Sequence, residues 1–559
     1  MAVLAFQQTL EPAGGVVGST LLALVPVATL LILLAVLRVT AWLAVIIGSV
    51  VTAVLALFVW DVPGKDAAAA YFYGSATGFW AVDWIVIWGV VIFNTLVVTG
   101  AFDRLKNWLV AQATADIRIQ TILLAWAFGA LLEGLVGFGY PWAVVAPILI
   151  SLGVIELEAI RVAAIANNAP VSYGALGAPI LGLSKVTGLD LMDLSSAIGR
   201  VVAILALLPP FILVYLVSGR RGLRTGWPIA LAGALGYIAG QYPIAEFVGP
   251  YLPDVVGSVT AFATVFILIR FWRPSETLAF GGVPVEGPAP GAGVTPPPVT
   301  TPVPTSGGIR DAIYGLTPIA ILVAVVVAWT GPWSSHYPPH SFWNGETVTS
   351  YTQFTATVTG TTAGGDETSA AFGWNPFVAG TAIFFSWLLI LLFLRPSRAQ
   401  IGDVFRRTFF QIWGAMVVGV FIFGLAFLFN FSGMAASMAN GFSKVGDWFI
   451  LLAPILGWIG VALSGSNTST NTVFGYFQLQ VGKLLGAPPL IFPTLNSIGA
   501  EVGKPIAPQT ASVGVSTTKY VRNEGTVIRH NMPWTLFILA YLIGIGALYY
   551  FVFPDAMKP

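Results

Sequence analysis

Apolar runs long enough to cross about 30 Å of hydrocarbon at roughly 1.5 Å per residue recur along almost the whole chain. They lie at 20–37, 41–60, 84–102, 159–182, 196–217, 226–245, 254–272, 311–330, 374–394, 409–430, 490–516 and 533–553. In lipid every backbone N–H and C=O must be paired within the protein, so runs of this length predict helices and an all-α polytopic membrane protein. Charged residues make up 9% of the chain, against roughly 25% in a soluble domain, which excludes a soluble enzyme. A formal net charge of +1 offers no broad basic surface, so nucleic acid is not an expected partner. The absence of Cys removes disulfides, thiolate catalysis and Cys-ligated metal sites, and no cofactor or metal is expected. The first basic residue is Arg38, so the first run is expected to be a retained span rather than a cleaved signal.

Two further apolar stretches, 119–155 and 448–486, are broken in the middle by polar, Gly-rich sequence and predict re-entrant or broken hairpins. About twelve spans plus these two hairpins give a consistent positive-inside orientation. Arg104, Lys106 and Arg118, then Arg220, Arg221 and Arg224, then Arg395, Arg398, Arg406 and Arg407, then Lys519, Arg522 and Arg529 fall on one face, the cytoplasmic one. Loops 61–83 and 331–373 fall on the other, and the parity puts both termini outside. The Pro/Gly-rich stretch 273–310 predicts a flexible or polyproline-like cytoplasmic linker. Within 331–373 the alternating TVTSYTQFTATVT suits a small external hairpin.

The linker separates two halves of matching order. Residues 1–217 form a first repeat with hairpin 119–155 and broken span 159–182. Residues 218–272 are linking spans. Residues 311–559 form a second repeat with hairpin 448–486 and broken span 490–516. Gly134 precedes Asn167 by 33 residues and Gly465 precedes Asn496 by 31, while Asn167 to Pro179 and Asn496 to Pro508 are both twelve. Parity starts the first set outside and the second inside. This is the inverted-repeat plan of secondary transporters, with substrate held near the midplane.

The four interruptions carry the chemistry. In LLEGLVGFGYP at 131–141, Gly134, Gly137, Gly139 and Pro141 defeat a continuous helix beside Glu133. A carboxylate at bilayer depth costs roughly 2.5–3.5 kcal/mol, which suits a proton-relay or cation-ligand role; capping a half-helix from an aqueous vestibule is the alternative. In IANNAPVSYGALGAP at 165–179, Asn167 and Asn168 precede Pro170, so the helix unwinds and offers amide groups to a polar solute. In SGSNTSTN at 464–471, which includes Ser466, Asn467, Thr468 and Asn471, hydroxyls and exposed N–H groups suit an anion at a half-helix N-terminus. In NSIGAEVGKPIAPQ at 496–509, Lys504 is the best counter-ion for a substrate carboxylate; pairing with Glu501 or Glu133 is the structural alternative. The Gly-Lys here lacks P-loop spacing.

Together these motifs resemble the lactate permease family, whose members carry 2-hydroxy monocarboxylates such as lactate and glycolate with protons. Residues 128–141 (FGALLEGLVGFGYP) are similar to that family's Glu-Gly hairpin and 167–179 (NNAPVSYGALGAP) to its Asn-Ala-Pro and Gly-Ala-Leu-Gly motif. Residues 464–471 and 496–509 resemble its Ser/Gly/Thr/Asn hairpin and its Gly-Lys…Pro-Gln segment. The resemblance implies that Glu133, Asn167, Ser466, Asn467, Asn471, Lys504 and Gln509 lie in the transport site. It departs at Asn467, where the family usually shows an acidic residue, so either Glu133 or Glu501 would have to carry the proton in its place or coupling would weaken.

The expected activity is therefore proton symport of lactate or a related 2-hydroxy acid across the plasma membrane, with the small carboxylate, the proton and membrane lipid as partners. A sodium-coupled carboxylate or dicarboxylate transporter on the same plan is the alternative. A channel fits four breaks around one site less well. Catalysis is not expected: His336 and His340 fall in the outer loop, His530 in a cytoplasmic one, and neither HExxH nor GxSxG occurs.

Overall fold

Leu, Ile, Val, Ala and Phe dominate the spans, which are helical because a helix lets one segment pair its own backbone in hydrocarbon. Several carry a Pro inside the helix, such as Pro26, Pro318 and Pro533. The computed structural model describes residues 6–112, 114–137, 139–285, 308–331, 333, 353–361, 367–374, 376–516 and 518–559. Among these, nine helices are long and apolar enough to cross a membrane: Val16–Leu34, Ala41–Phe58, Gly64–Val98, Ile117–Leu135, Leu191–Phe247, Pro253–Phe271, Ile309–Thr330, Arg398–Phe431 and Glu524–Phe551. Met434–Ser443 and Gly446–Ala462, bent by 112°, make a tenth if taken as one broken span.

The all-α polytopic expectation holds, and the difference from about twelve spans has local causes. Ala379–Leu394 is apolar but only 16 residues long, and 159–182 and 490–516 are each divided into shorter helices. The expected spans 196–217 and 226–245 fall within the continuous stretch Leu191–Phe247, where Gly219, at φ 66° and ψ −167°, kinks the helix just before Arg220. Residues 61–83 are not an external loop. Gly64–Thr77 is a helix that continues through a π-helical stretch, Gly78–Asp83, into Trp84–Val98. The run Ala67–Ala70 favours helix, and Asp66 in the first turn complements the helix dipole. Asp83 is thereby drawn into the interior, 5% exposed.

Only the later part of the alternating run 347–359 is described, and it lies in one strand, Gln353–Thr361, whose antiparallel partner is Glu367–Gly373 further along the chain, with Phe6–Gln7 added in parallel. His336 and His340 lie outside the described residues, as do residues 286–307 of the linker. The start of that linker is ordered as a small hairpin, Leu278–Ala279 with Val283–Pro284. Buried Arg118 fastens it: the guanidinium pairs with Asp116 at 2.6 Å and donates to the carbonyls of Gly222 and Glu276.

The four interrupted segments pack together in the core. The first hairpin is Ile117–Leu135 and Tyr140–Ser151; the first broken crossing is Glu156–Ala166, a 3-10 turn at Val171–Tyr173, and Gly174–Thr187. The second hairpin is Phe449–Ser464 and Asn467–Leu485; the second broken crossing is Ile491–Gly503, a 3-10 turn at Lys504–Ile506, and Pro508–Val515. Contacts are reciprocal: Asn467–Leu485 packs on Gly174–Thr187, and Tyr140–Ser151 on Pro508–Val515. Close approach depends on small residues, as is usual where apolar burial cannot drive helix association. A Cβ on Gly457 would lie 2.1 Å from the Asn496 carbonyl oxygen, and one on Gly499 2.1 Å from that of Pro454. At the periphery Val17, Leu21, Val50 and Phe58 are exposed, a surface suited to lipid.

Candidate functional site

Glu133 sits in the last turn before the first hairpin breaks, and Lys504 begins the 3-10 turn that divides the second broken crossing. Both are buried, 1% and 4% exposed. Lys504 Nζ donates to Glu133 Oε1 at 2.5 Å, and Asn167 Nδ2 donates to Oε2 at 3.1 Å. Three interruptions, distant in sequence, thus meet on one carboxylate. The pairing of Lys504 left open by the sequence is with Glu133. A Cβ on Gly174 would stand 2.6 Å from Glu133 Oε1, so the start of Gly174–Thr187 can pass the carboxylate only without a side chain.

The second hairpin supplies the opposite wall. Gly465 turns the tip at φ 71°, and Ser466 caps Asn467–Leu485 by accepting from the Ser469 N–H at 3.2 Å. The N–H groups of the first helical turn lie ahead of any intrahelical acceptor, and with the helix dipole they make the tip favourable to an anion. Glu133, Gly137, Ala175, Ser466, Asn467, Thr468 and Lys504 line a cavity of ≈ 30 Å³, room for about one water. A second cavity of ≈ 320 Å³ shares Gly465, Ser466 and Thr468 with it and adds Asp83, Gln411, Ser469 and Gln509. The hairpin tip therefore divides a small polar site from a larger vestibule.

The expected residues fall into distinct places. Glu133, Ser466, Asn467, Thr468 and Lys504 line the small cavity. Asn167 holds Glu133, and its Oδ1 has no partner; both amide atoms of Asn467 are likewise bare. Gln509 lies in the vestibule rather than beside Lys504. Asn471 is committed to structure: its Nδ2 donates to the Pro179 carbonyl at 3.1 Å and to Ser497 Oγ at 3.0 Å, while its Oδ1 accepts from Asn496 at 3.0 Å. Gln478 extends this network to Asn496 at 3.1 Å. Glu501, off the cavity, accepts from the Ser172 N–H at 3.0 Å, and its Oε1 is bare. Asn168 is fully buried with neither amide atom partnered, away from both cavities.

Three buried carboxyls escaped the sequence reading: Asp254, Asp83, and Asp116, which pairs with Arg118. Asp254 accepts from the Tyr237 hydroxyl at 2.7 Å and lies against Gly134, where a Cβ would be 2.8 Å from its own. It stands at the first residue of an apolar run and reads as a boundary. Asp83 was hidden by the assignment of 61–83 to a loop; its position between Val82 and Trp84, inside FWAVDWIVIW, was the available signal.

Known proteins match along nearly the whole chain. A family model described as L-lactate permease covers residues 19–553. The glycolate permease GlcA of Escherichia coli (strain K12) is 31% identical over 555 residues, 97% of this chain and 97% of that protein. The L-lactate permease of the same organism is 28% identical over 546 residues, 97% of each chain. That of Bacillus subtilis (strain 168) is 29% identical over 561 residues, 98% of each.

Proposed function

The chain belongs to the L-lactate permease family, and on that premise we propose that it takes up lactate, glycolate or a related small 2-hydroxy monocarboxylate across the plasma membrane by proton symport. The family is one of permeases, so the chain is a transporter and not an enzyme. The observation that carries the coupling is the buried Glu133–Lys504 pair. A substrate carboxylate and the Glu133 carboxylate compete for one ammonium. While Glu133 is ionised it occupies Lys504; once protonated it holds no ion pair, and Lys504 is free for the anion.

Charge accounting makes the two events obligatory partners. The empty pair is neutral, and so is the state with Glu133 protonated and an anion on Lys504. A proton alone leaves the site at +1 and an anion alone leaves it at −1, and either uncompensated charge is costly at this depth. The N–H groups at the start of Asn467–Leu485 stabilise the same carboxylate. The bare amides of Asn467 and Asn167 Oδ1 are suited to the α-hydroxyl, which favours 2-hydroxy acids over acetate. A cavity of ≈ 30 Å³ is too small for such an acid, so the hairpin tip must shift on loading.

The reciprocal packing of hairpins on broken crossings, each crossing divided by a 3-10 turn, supports an inverted repeat of 1–217 and 311–559. Positive-inside parity places the vestibule rim at Trp42 and Gln411 near Arg38 and Arg407, on the cytoplasmic side, with both termini external. Uptake of labelled lactate into proteoliposomes under an imposed pH or sodium gradient tests the reading. The pH gradient is expected to drive accumulation without sodium, and Lys504→Ala to abolish substrate binding. Drive by sodium alone would replace this reading with the sodium-coupled one.

A further inference from the structure

The vestibule contains a carboxyl that the Glu133–Lys504 mechanism does not use. Asp83 ends the π-helical stretch Gly78–Asp83, and its widened turn aims the side chain at the neighbouring helix: a Cβ on Gly419 would lie 2.2 Å from Asp83 Oδ1. Asp83 is 5% exposed, and its Oδ2 is buried without a partner. Among the described residues lining the ≈ 320 Å³ cavity it is the one that carries a charge. That cavity meets the substrate site at Gly465, Ser466 and Thr468.

Five helical segments pack against this stretch or continue from it: 64–77, 84–98, 174–187, 379–394 and 398–431. Their charged groups are Lys65, Asp66, Lys185, Arg398, Asp403, Arg406 and Arg407. Among the described residues none of these forms an ion pair with Asp83; Arg407 is taken by Asp403 at 2.8 Å. The titratable Tyr71 and Tyr73 lie on the first segment, and Tyr71 donates to Ser49. Asp83 therefore faces the vestibule with no ion pair to a cation among the described residues.

An anion crossing a low-dielectric vestibule is repelled by a fixed carboxylate in its wall. We infer that Asp83 is a proton-binding site in the vestibule, and that the substrate anion passes between the vestibule and the hairpin tip only while Asp83 carries its proton. The proton comes from the solution bathing the vestibule and returns to it, so the site gates passage without adding to the transported charge. A carboxyl across the tip gives passage its own sensitivity to pH. The inference rests on the reading of Lys504 as the substrate's counter-ion.

The test is equilibrium exchange of labelled for unlabelled lactate in proteoliposomes at equal pH on both sides, from acidic to mildly alkaline. Exchange by the parent is expected to fall with rising pH. In Asp83→Asn, which is neutral at every pH, the fall should be at least threefold smaller, whereas Asp83→Glu should keep the parent profile. Should Asp83→Asn not fold, the parent is treated with a hydrophobic carbodiimide, which reacts with protonated carboxyls. Mass spectrometry should then find Asp83 labelled, less so as pH rises. An unchanged pH profile in Asp83→Asn, or an unlabelled Asp83 at every pH, overturns the inference. Binding retained in Lys504→Ala refutes instead the reading on which it rests.

Discussion

Replacing Glu133 by Gln separates binding from coupling. In the parent the Lys504 ammonium has its counter-charge at 2.5 Å. Gln keeps the volume and hydrogen-bonding capacity of the side chain beside Asn167, but it leaves Lys504 buried and unbalanced. Removing one member of a buried pair costs roughly 3–5 kcal/mol, and a substrate carboxylate on Lys504 recovers part of that. Recovery of about 2 kcal/mol raises affinity about thirtyfold, at roughly 1.4 kcal/mol per factor of ten. The pH dependence separates the two proteins further. Parent affinity falls as pH rises, because Glu133 ionises and reoccupies Lys504; proton linkage sets the limiting slope at about tenfold per pH unit. The variant has no such competitor and should bind with flat pH dependence. Titration of purified protein with lactate across the pH range measures both quantities. Weaker binding by Glu133→Gln at every pH, with the parent's slope retained, would refute the competition.

Further outcomes follow from the same contacts. Gly174→Ala drives a Cβ to within 2.6 Å of Glu133 Oε1; overpacking of this kind costs about 1–3 kcal/mol, and lactate binding should weaken at least tenfold while purified protein remains folded by circular dichroism. Asn471→Ala removes three hydrogen bonds between the second hairpin and the broken crossings; about 1–3 kcal/mol of stability should be lost in a thermal melt, with the KM for lactate changed less than threefold. Asn467→Asp puts a second carboxylate on the cavity of Lys504, so binding should become steeper in pH than the parent and weaker above neutral.

The interruptions were legible in the sequence because breaks within apolar runs have local causes. Gly465, with φ 71°, and the Pro505 that follows Lys504 act on their own neighbourhood, and a helix that stops in lipid must have partners waiting. Glu133 and Lys504 could each be singled out for the same reason: a charge among apolar residues is costly wherever the rest of the chain lies. Which charge met which was not legible, since Lys504 had two carboxyls within reach of the motif and only packing chose Glu133 over Glu501. Asn471 looked like a ligand by composition, yet three bonds to neighbouring segments consume it. The failure at 61–83 has a different origin. Asp61, Lys65, Asp66 and Asp83 read as a hydrated loop, but the alanines between them favour helix, and the π-helical turn buries the last of those charges. Charge marks exposure only when nothing continues the helix around it.

The Glu133–Lys504 pair is more than a device for binding, because a symporter must also return empty. In the parent both the empty and the loaded sites are neutral, so neither step moves charge through the membrane field. Net uptake should then respond to a pH gradient but little to a potassium diffusion potential set with valinomycin. In Glu133→Gln the empty site carries the uncompensated Lys504 ammonium, and moving one charge through the field costs or releases about 2.3 kcal/mol per 100 mV, in addition to its desolvation. The loaded site of the variant remains neutral, so it can exchange lactate for lactate while its empty return is blocked. Exchange without accumulation is thus the signature of a carrier whose resting carboxylate has been removed. Loss of exchange and accumulation together, with binding intact, would place Glu133 in the conformational change itself and not in the balance of charge.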